Sequence, residues 1–289
     1  MKKANWGRRC ILFGLLALAG AAAFYQGLVT TFYTIESDKL KAGTSIRLAL
    51  VTDLHSHIYG GDQSQLAQRI LASRPDAVLL AGDIYDNVTP PDGVRLLLAK
   101  LAGRVPLYYV TGNHEYWTRD MDTVLALFAE YGVTVLDDRW EYASLHGVQV
   151  AVAGVSDPVR ADFDRGFDPR AAMAEGFADL PQDVYTILLA HRPNWIGEYQ
   201  KYPFDLVVSG HNHGGQARIP FLLDGLVGPD EGFFPKYPGG VYRHGALTQV
   251  VSRGLSVNWK LPRVFNPPEL VVIDVRGTEG FSGDLSKSY

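Results

Sequence analysis

The chain has 289 residues, 47% of them hydrophobic, enough to bury a substantial core in one large domain or two small ones. Its net charge is −4, and setting aside the four positives Lys2, Lys3, Arg8 and Arg9 takes it from −4 to −8, which excludes nucleic-acid binding through bulk charge. The single cysteine, Cys10, excludes a disulfide framework and a thiolate metal site.

Residues 1–9 form a basic N-terminal segment, and residues 10–29 follow as a run without a charge. At helical rise that run spans roughly 30 Å, the thickness of a bilayer's hydrocarbon core. The expectation is a transmembrane anchor over 10–29. A cleaved signal sequence is the competing reading, because Ala21, Ala22 and Ala23 offer small residues to a protease. Basic residues ahead of the run predict a single-pass bacterial inner-membrane protein with its catalytic domain on the extracytoplasmic side. Arg8-Arg9 also loosely resembles a twin-arginine export signal. Residues 30–44 read as a stalk, and 45–289 as one domain.

From Ser45 onward strand-like and helix-like segments alternate. Apolar, β-branched runs at 46–52, 77–81, 107–111, 185–190 and 205–208 read as buried strands. The amphipathic stretches 63–73, 92–102 and 121–131 read as helices, with Pro75, Gly103 and Gly132 just past their ends. This alternation implies right-handed β-α-β crossovers. The pattern becomes hairpin-like over 142–155, around His146-Gly147, and strand-like again at 241–244, 247–252 and 270–275.

Five of the strand-like runs end in residues able to hold a metal. They end in Asp53-Leu54-His55, Gly82-Asp83, Gly112-Asn113-His114-Glu115, His191, and Gly210-His211-Asn212-His213. Asp53 and His55, two apart on extended chain, would face the same side. In open α/β sheets ligands bind beyond the carboxyl ends of the strands, so all five endings read as one site. A lone Asp-Leu-His or Gly-Asp is usually an ordinary turn; the ordered set is not.

The order D-x-H, G-D-x-x-D, G-N-H-E, H, G-H-x-H resembles the calcineurin-like metallophosphoesterase family. The stretches 225–242 and 251–254 resemble a narrower branch of membrane-associated bacterial phosphodiesterases. The resemblance implies a metallophosphoesterase fold, an α/β four-layer α-β-β-α sandwich of two mixed sheets, here with an N-terminal transmembrane helix. It implies two divalent ions, the first held by Asp53, His55, Asp83 and His213. The second would be held by Asp83, Asn113, His191 and His211, with Asp83 bridging. This all-nitrogen-and-oxygen shell suits Mn, Fe or Zn. Two such ions generate a nucleophile from water at neutral pH and neutralise charge on the phosphoryl oxygens. His114 is then the catalytic acid or transition-state stabiliser, Asp86 orients it, and Glu115 supports the turn.

The remaining histidines have blander readings: His57 as a solvated loop residue, His146 and His244 as structural ones. Asp157 lies where related enzymes carry an acidic loop. Phe233, Phe234 and Tyr237 are either a loop packed on the core or an apolar substrate wall. Protein phosphatases of the family carry arginines where this chain has Asn87 and Thr111, which argues against that activity. The expected partner is a lipid or envelope phosphoester, and the expected activity a phosphodiesterase. A UDP-2,3-diacylglucosamine pyrophosphatase is the alternative, and a non-catalytic binding module on the same scaffold the alternative of another class.

Overall fold

The computed structural model describes residues 2–257 and 262–278, so the expected domain end at 289 lies outside the described residues. The chain opens with α1 (Lys2–Ala23), β1 (Val29–Ser37) and β2 (Ser45–Val51). Then come α2 (Ser64–Ala72), β3 (Ala77–Ala81), α3 (Asp92–Leu101), β4 (Leu107–Val110), α4 (Asn113–Trp117) and α5 (Met121–Glu130). A short β5 (Thr134–Val135) leads to the hairpin β6 (Arg139–Leu145) and β7 (Val148–Gly154), followed by α6 (Pro169–Gly176) and β8 (Tyr185–Leu189). After α7 (Ile196–Tyr199) and β9 (Leu206–Ser209) lie β10 (Val227–Gly228), β11 (Gly232–Phe233), β12 (Gly240–His244), β13 (Leu247–Val251) and β14 (Glu269–Gly277).

Two six-stranded sheets carry the fold, ordered β1-β14-β2-β3-β4-β5 and β12-β13-β9-β8-β7-β6. Each has a parallel centre: β2, β3 and β4 in one, β7, β8, β9 and β13 in the other. Antiparallel partners stand beside these centres, β14 against β2, β6 against β7 and β12 against β13. Both sheets are therefore mixed, as expected.

Three apolar layers hold four structural layers together. Leu48, Leu50 and Leu79 of the first sheet meet Val152, Ile187 and Val208 of the second in the central core. On the outer face of the first sheet, Val51, Val78 and Tyr109 pack against Leu66 of α2, Leu97 of α3 and Phe128 of α5. On the outer face of the second, Ala151, Leu188 and Val207 pack against Met173 of α6 and Tyr199 of α7. The parallel strands are covered on both faces, which is why they read as continuous apolar runs. Each fully buried leucine contributes about 2 kcal/mol of transfer free energy.

The N-terminus departs from expectation. Among the described residues no helix is long and apolar enough to cross a membrane. The uncharged run is divided between two elements, since α1 ends at Ala23 and β1 begins at Val29. Only residues 10–23 of the run are helical, a length of about 21 Å. The transmembrane helix over 10–29, the single-pass inner-membrane placement and the membrane as partner through that helix are all overturned. The chain beyond α1 is tied to the domain instead. Phe265 N–H donates to the Ala23 carbonyl at 2.7 Å, and Gln26 Nε2 donates to the Arg263 carbonyl at 2.8 Å. The expected stalk over 30–44 contains most of β1, which lies parallel to β14 in register from Val29–Glu269 to Ser37–Gly277.

Candidate metal centre

All nine residues expected at the site come together beyond the carboxyl ends of β2, β3, β4, β8 and β9. Eight of the side chains, all but Asn113, fall into three groups of potential ligands: Asp53, His55 and His213; His55, Asp86 and His114; and Asp83, His191 and His211. The backbone there is unusual. Asp53, His55, Asp83, His211 and His213 all adopt left-handed φ values, between 46° and 68°. Such conformations are uncommon for side-chain-bearing residues and cluster where function holds them in place. Gly82, at φ +81°, admits the neighbouring ring: a Cβ there would stand 2.6 Å from His191 Nδ1.

Backbone and side-chain hydrogen bonds fix which nitrogen each ring presents. His191 Nδ1 donates to the Ala81 carbonyl at 2.9 Å, leaving the Nε2 lone pair 3.2 Å from Asp83 Oδ2. His55 and His114 both direct Nδ1 at Asp86 Oδ1, at 3.2 and 2.8 Å. Burial works against charge on Asp86, yet these hydrogen bonds and one from the Thr89 N–H hold its carboxyl below the usual range. An ionised Asp86 requires hydrogen on both Nδ1 atoms. The Nε2 atoms of His55 and His114 then face Asp83 Oδ2, at 3.7 and 4.0 Å. His211 Nε2 meets Asp230 Oδ2 at 2.8 Å and Arg192 Nη1 at 3.1 Å, while its Nδ1 faces His191 Nε2 at 3.3 Å. His213 Nδ1 meets Ser256 Oγ at 3.2 Å and turns Nε2 toward Asp53 Oδ1 at 3.6 Å.

Ring nitrogens of several imidazoles thus converge on two buried carboxylates. Such an arrangement is one that a cation at its centre would satisfy. Burial disfavours charge on both Asp83 and His191, but their mutual attraction holds the Asp83 carboxyl well below its ordinary value and His191 above its own. A divalent ion would take the place of that proton. Burial pushes His213 down to about 3, and burial with neighbouring His191 and Arg192 lowers His211 as well. Both are neutral imidazoles, the form that ligates a metal. Asn113 Oδ1, one residue before His114, is buried without a hydrogen-bond partner among the described residues, an oxygen of the kind that ligates a metal. The residues present fit divalent metal ions.

Glu115 braces the backbone beneath the site. Its carboxylate accepts from the backbone N–H groups of Asp83 at 3.0 Å, Ile84 at 2.8 Å, Tyr85 at 3.0 Å and Gly112 at 2.8 Å. Burial and the Asp83 charge push its pKa up to about 7, against the pull of those N–H groups. Glu115→Gln would turn an amide donor toward backbone donors. The expected cost is about 2–3 kcal/mol, a Tm lowered by roughly 5–10 °C in thermal unfolding. An unchanged Tm would contradict this bracing role.

Several partners escaped the sequence because they arrive from distant segments. Asp157 enters none of the ligand groups. It is buried and clamps Arg192, with Nε at 2.7 Å and Nη2 at 3.0 Å. Arg192 and His211 share Asp230, which therefore holds the His211 ring in place. His57, half-buried, lines the cavity, and burial lowers its pKa. His146 pairs with Asp76 at the hairpin turn, and His244 bonds Gln249. Phe233 and Phe234 are exposed, whereas Tyr237 is buried in the core. A cavity of about 550 Å³ opens over the centre, lined by His55, His114, His213, Val88, Val257 and Arg263 among others. That volume is typical of a small-molecule site.

Known proteins share this framework. A metallophosphoesterase of Aquifex aeolicus, described as uncharacterized, is 30% identical over 264 residues, covering 88% of this chain and 95% of its own. The UDP-2,3-diacylglucosamine pyrophosphatase LpxG of Chlamydia trachomatis is 25% identical over 283 residues, covering 79% of this chain and 83% of its own. Among solved structures, the NAD nucleotidase of Haemophilus influenzae superposes with a TM-score of 0.50 at 19% identity, over 73% of this chain and 45% of that one. That likeness speaks for the fold alone. The profile of the calcineurin-like phosphoesterase family matches residues 46–215, a span holding every residue of the three ligand groups. With that span and that geometry, the chain belongs to the calcineurin-like phosphoesterase family and is a metal-dependent phosphoester hydrolase.

Proposed function

We propose that this hydrolase is a two-metal phosphodiesterase. One ion is held by Asp53, His55, Asp83 and His213, the other by Asp83, Asn113, His191 and His211. The observation that carries the reading is the position of Asp83 Oδ2, within 4.0 Å of the Nε2 atoms of His191, His55 and His114. When bound, the ions supply a water-derived nucleophile at neutral pH and offset phosphoryl charge.

The chain's own residues do the rest. Asp53 and Asp83 are fully buried and ordered by N–H groups, His211 N–H onto Asp53 at 3.0 Å and His114 N–H onto Asp83 at 2.9 Å. His114 is held through Nδ1 by Asp86, and its ring packs on Trp117 with centroids 4.6 Å apart. With Nδ1 on Asp86, its Nε2 is the nitrogen left for substrate, and as the imidazolium the ring delivers a proton from there to the leaving oxygen.

Domain limits follow from the same reading: residues 29–278 act as one catalytic unit, because β1 completes the first sheet. The narrower branch of bacterial phosphodiesterases enters as part of the proposal. A lipid or envelope phosphoester is the substrate reading. Phe221, Leu222, Phe233 and Phe234 are exposed on a loop anchored beside His213, where the Leu226 N–H donates to the Gly215 carbonyl at 2.8 Å. Likeness to LpxG favours a second substrate, an acylated nucleotide diphosphate. The charge-based topology that weighed against it has fallen with the transmembrane helix. Hydrolysis of bis-p-nitrophenyl phosphate with Mn²⁺ tests the diesterase reading. It should proceed, stop on chelation and outpace p-nitrophenyl phosphate; faster turnover of the monoester would sink the reading.

A further inference from the structure

Residues 226–237 form a ribbon laid against the turn that carries His211 and His213. Its core is a single two-residue ladder, β10 on β11, with Val227 opposite Phe233 and Gly228 opposite Gly232. A hairpin that short is not stable by itself. Asp230 and Phe234 also hold left-handed backbone, at φ 60° and 61°, which residues with side chains keep only where their surroundings impose it. The ribbon's shape is therefore set by what fastens it to the domain.

The fastenings converge on the turn 211–217. Leu226 N–H donates to the carbonyls of Gly215 and Ala217, both at 2.8 Å, and a Cβ at Gly215 would collide with Gly225 Cα. Glu231 Oε1 accepts from Asn212 Nδ2 at 2.8 Å. Asp230 accepts from Arg192 and stands 2.8 Å from His211 Nε2. Its side chain is 53% exposed, so these bonds compete with water and hold only as well as their donors are aimed.

The His211 donor depends on the metal centre. Its Nδ1 faces His191 Nε2 at 3.3 Å, so Nδ1 is the nitrogen that an ion shared with His191 would occupy. A neutral imidazole has one hydrogen, and with Nδ1 taken that hydrogen is on Nε2. Of the two groups beside Nε2, Arg192 Nη1 at 3.1 Å is a donor and Asp230 Oδ2 is an acceptor. In the loaded protein Nε2–H must therefore go to Asp230. In the stripped protein the hydrogen is free to sit on Nδ1, Nε2 accepts from Arg192, and Asp230 loses one of its two donors.

Resting on the two-metal reading above, we propose that Asp230 is a positioning residue that locks the 226–237 ribbon to the metal-loaded site. With His211 on an ion the ribbon is docked; without one it opens. Phe233 and Phe234 are exposed on this ribbon, so metal loading also fixes the apolar surface it offers to substrate. By reciprocity, the docked ribbon raises metal affinity by the factor that the ion shifts docking.

Hydrogen–deuterium exchange of the full-length protein, metal-stripped and reloaded with Mn²⁺, tests this with metal content measured on the same samples. Loading should slow exchange across 226–237 by at least about five-fold. Asp230→Ala should exchange fast in both states and hold Mn²⁺ more weakly by a similar factor. Asp230→Asn, whose amide oxygen still accepts, should keep part of the metal dependence. Glu231→Ala removes a fastening that meets no ion ligand, so it should speed exchange in both states and preserve their ratio. Equal exchange in stripped and loaded wild type with Mn²⁺ bound, or a metal dependence that survives Asp230→Ala, would overturn the lock. A wild-type protein that takes up no ion would instead overturn the two-metal reading on which the lock rests.

Discussion

Replacing Asp83 with asparagine is expected to abolish hydrolysis and to release at least one metal ion. Asp83 Oδ2 is the single oxygen that the Nε2 atoms of His191 and His55 both face, at 3.2 and 3.7 Å. An amide there is neutral and would present either a weaker oxygen or an N–H to the ions. The negative charge that draws both ions together would be gone, while the imidazoles remain. The backbone should hold its shape, because Glu115 grips the Asp83, Ile84 and Tyr85 N–H groups independently of the Asp83 side chain. The variant should therefore fold, bind fewer ions and turn nothing over. Full turnover with the wild-type metal content would remove Asp83 from the bridging role.

His114→Ala or His114→Asn should behave in the opposite way, keeping both ions while kcat falls by about 10²–10⁴-fold. His114 Nε2 is the most distant of the three from Asp83 Oδ2, at 4.0 Å, and its side chain is 25% exposed where that of His191 is 0%. Position and access both favour a group that meets substrate over one that meets metal. The loss should shrink for a good leaving group such as p-nitrophenolate, which scarcely needs a proton. Asp86→Asn should show a milder kinetic defect with a second symptom, weaker metal binding, because Asp86 also fixes His55. A His114 variant stripped of metal would move that residue into the ligand shell.

Much of this site could be read from the sequence because its pieces are local. Each ligand follows directly on a buried strand, and buried parallel strands are continuous apolar runs that single-chain periodicity detects. What could not be read depends on pairing across the chain. Strand β1 finds its partner β14 some 240 residues later, Val29 opposite Glu269, and nothing within 30–44 announces that contact. The misread anchor has the same origin. A count of uncharged residues over 10–29 joined the end of a helix to the start of a strand that only its distant partner defines. The Arg263 that lies against His213 comes from a loop whose residue types carry no local signal, and the 225–242 stretch, though it resembles a family branch, gives no sign that its Asp230 meets His211.

The central claim is that two ions share Asp83. Elemental analysis of the purified protein, metal-stripped and then reloaded with Mn²⁺, Fe²⁺ or Zn²⁺ in parallel with hydrolysis of bis-p-nitrophenyl phosphate, tests it most directly. The account predicts two ions per chain at full activity, none after stripping, and no turnover in the stripped protein. One ion per chain at full activity, or hydrolysis that survives complete removal of metal, would contradict it.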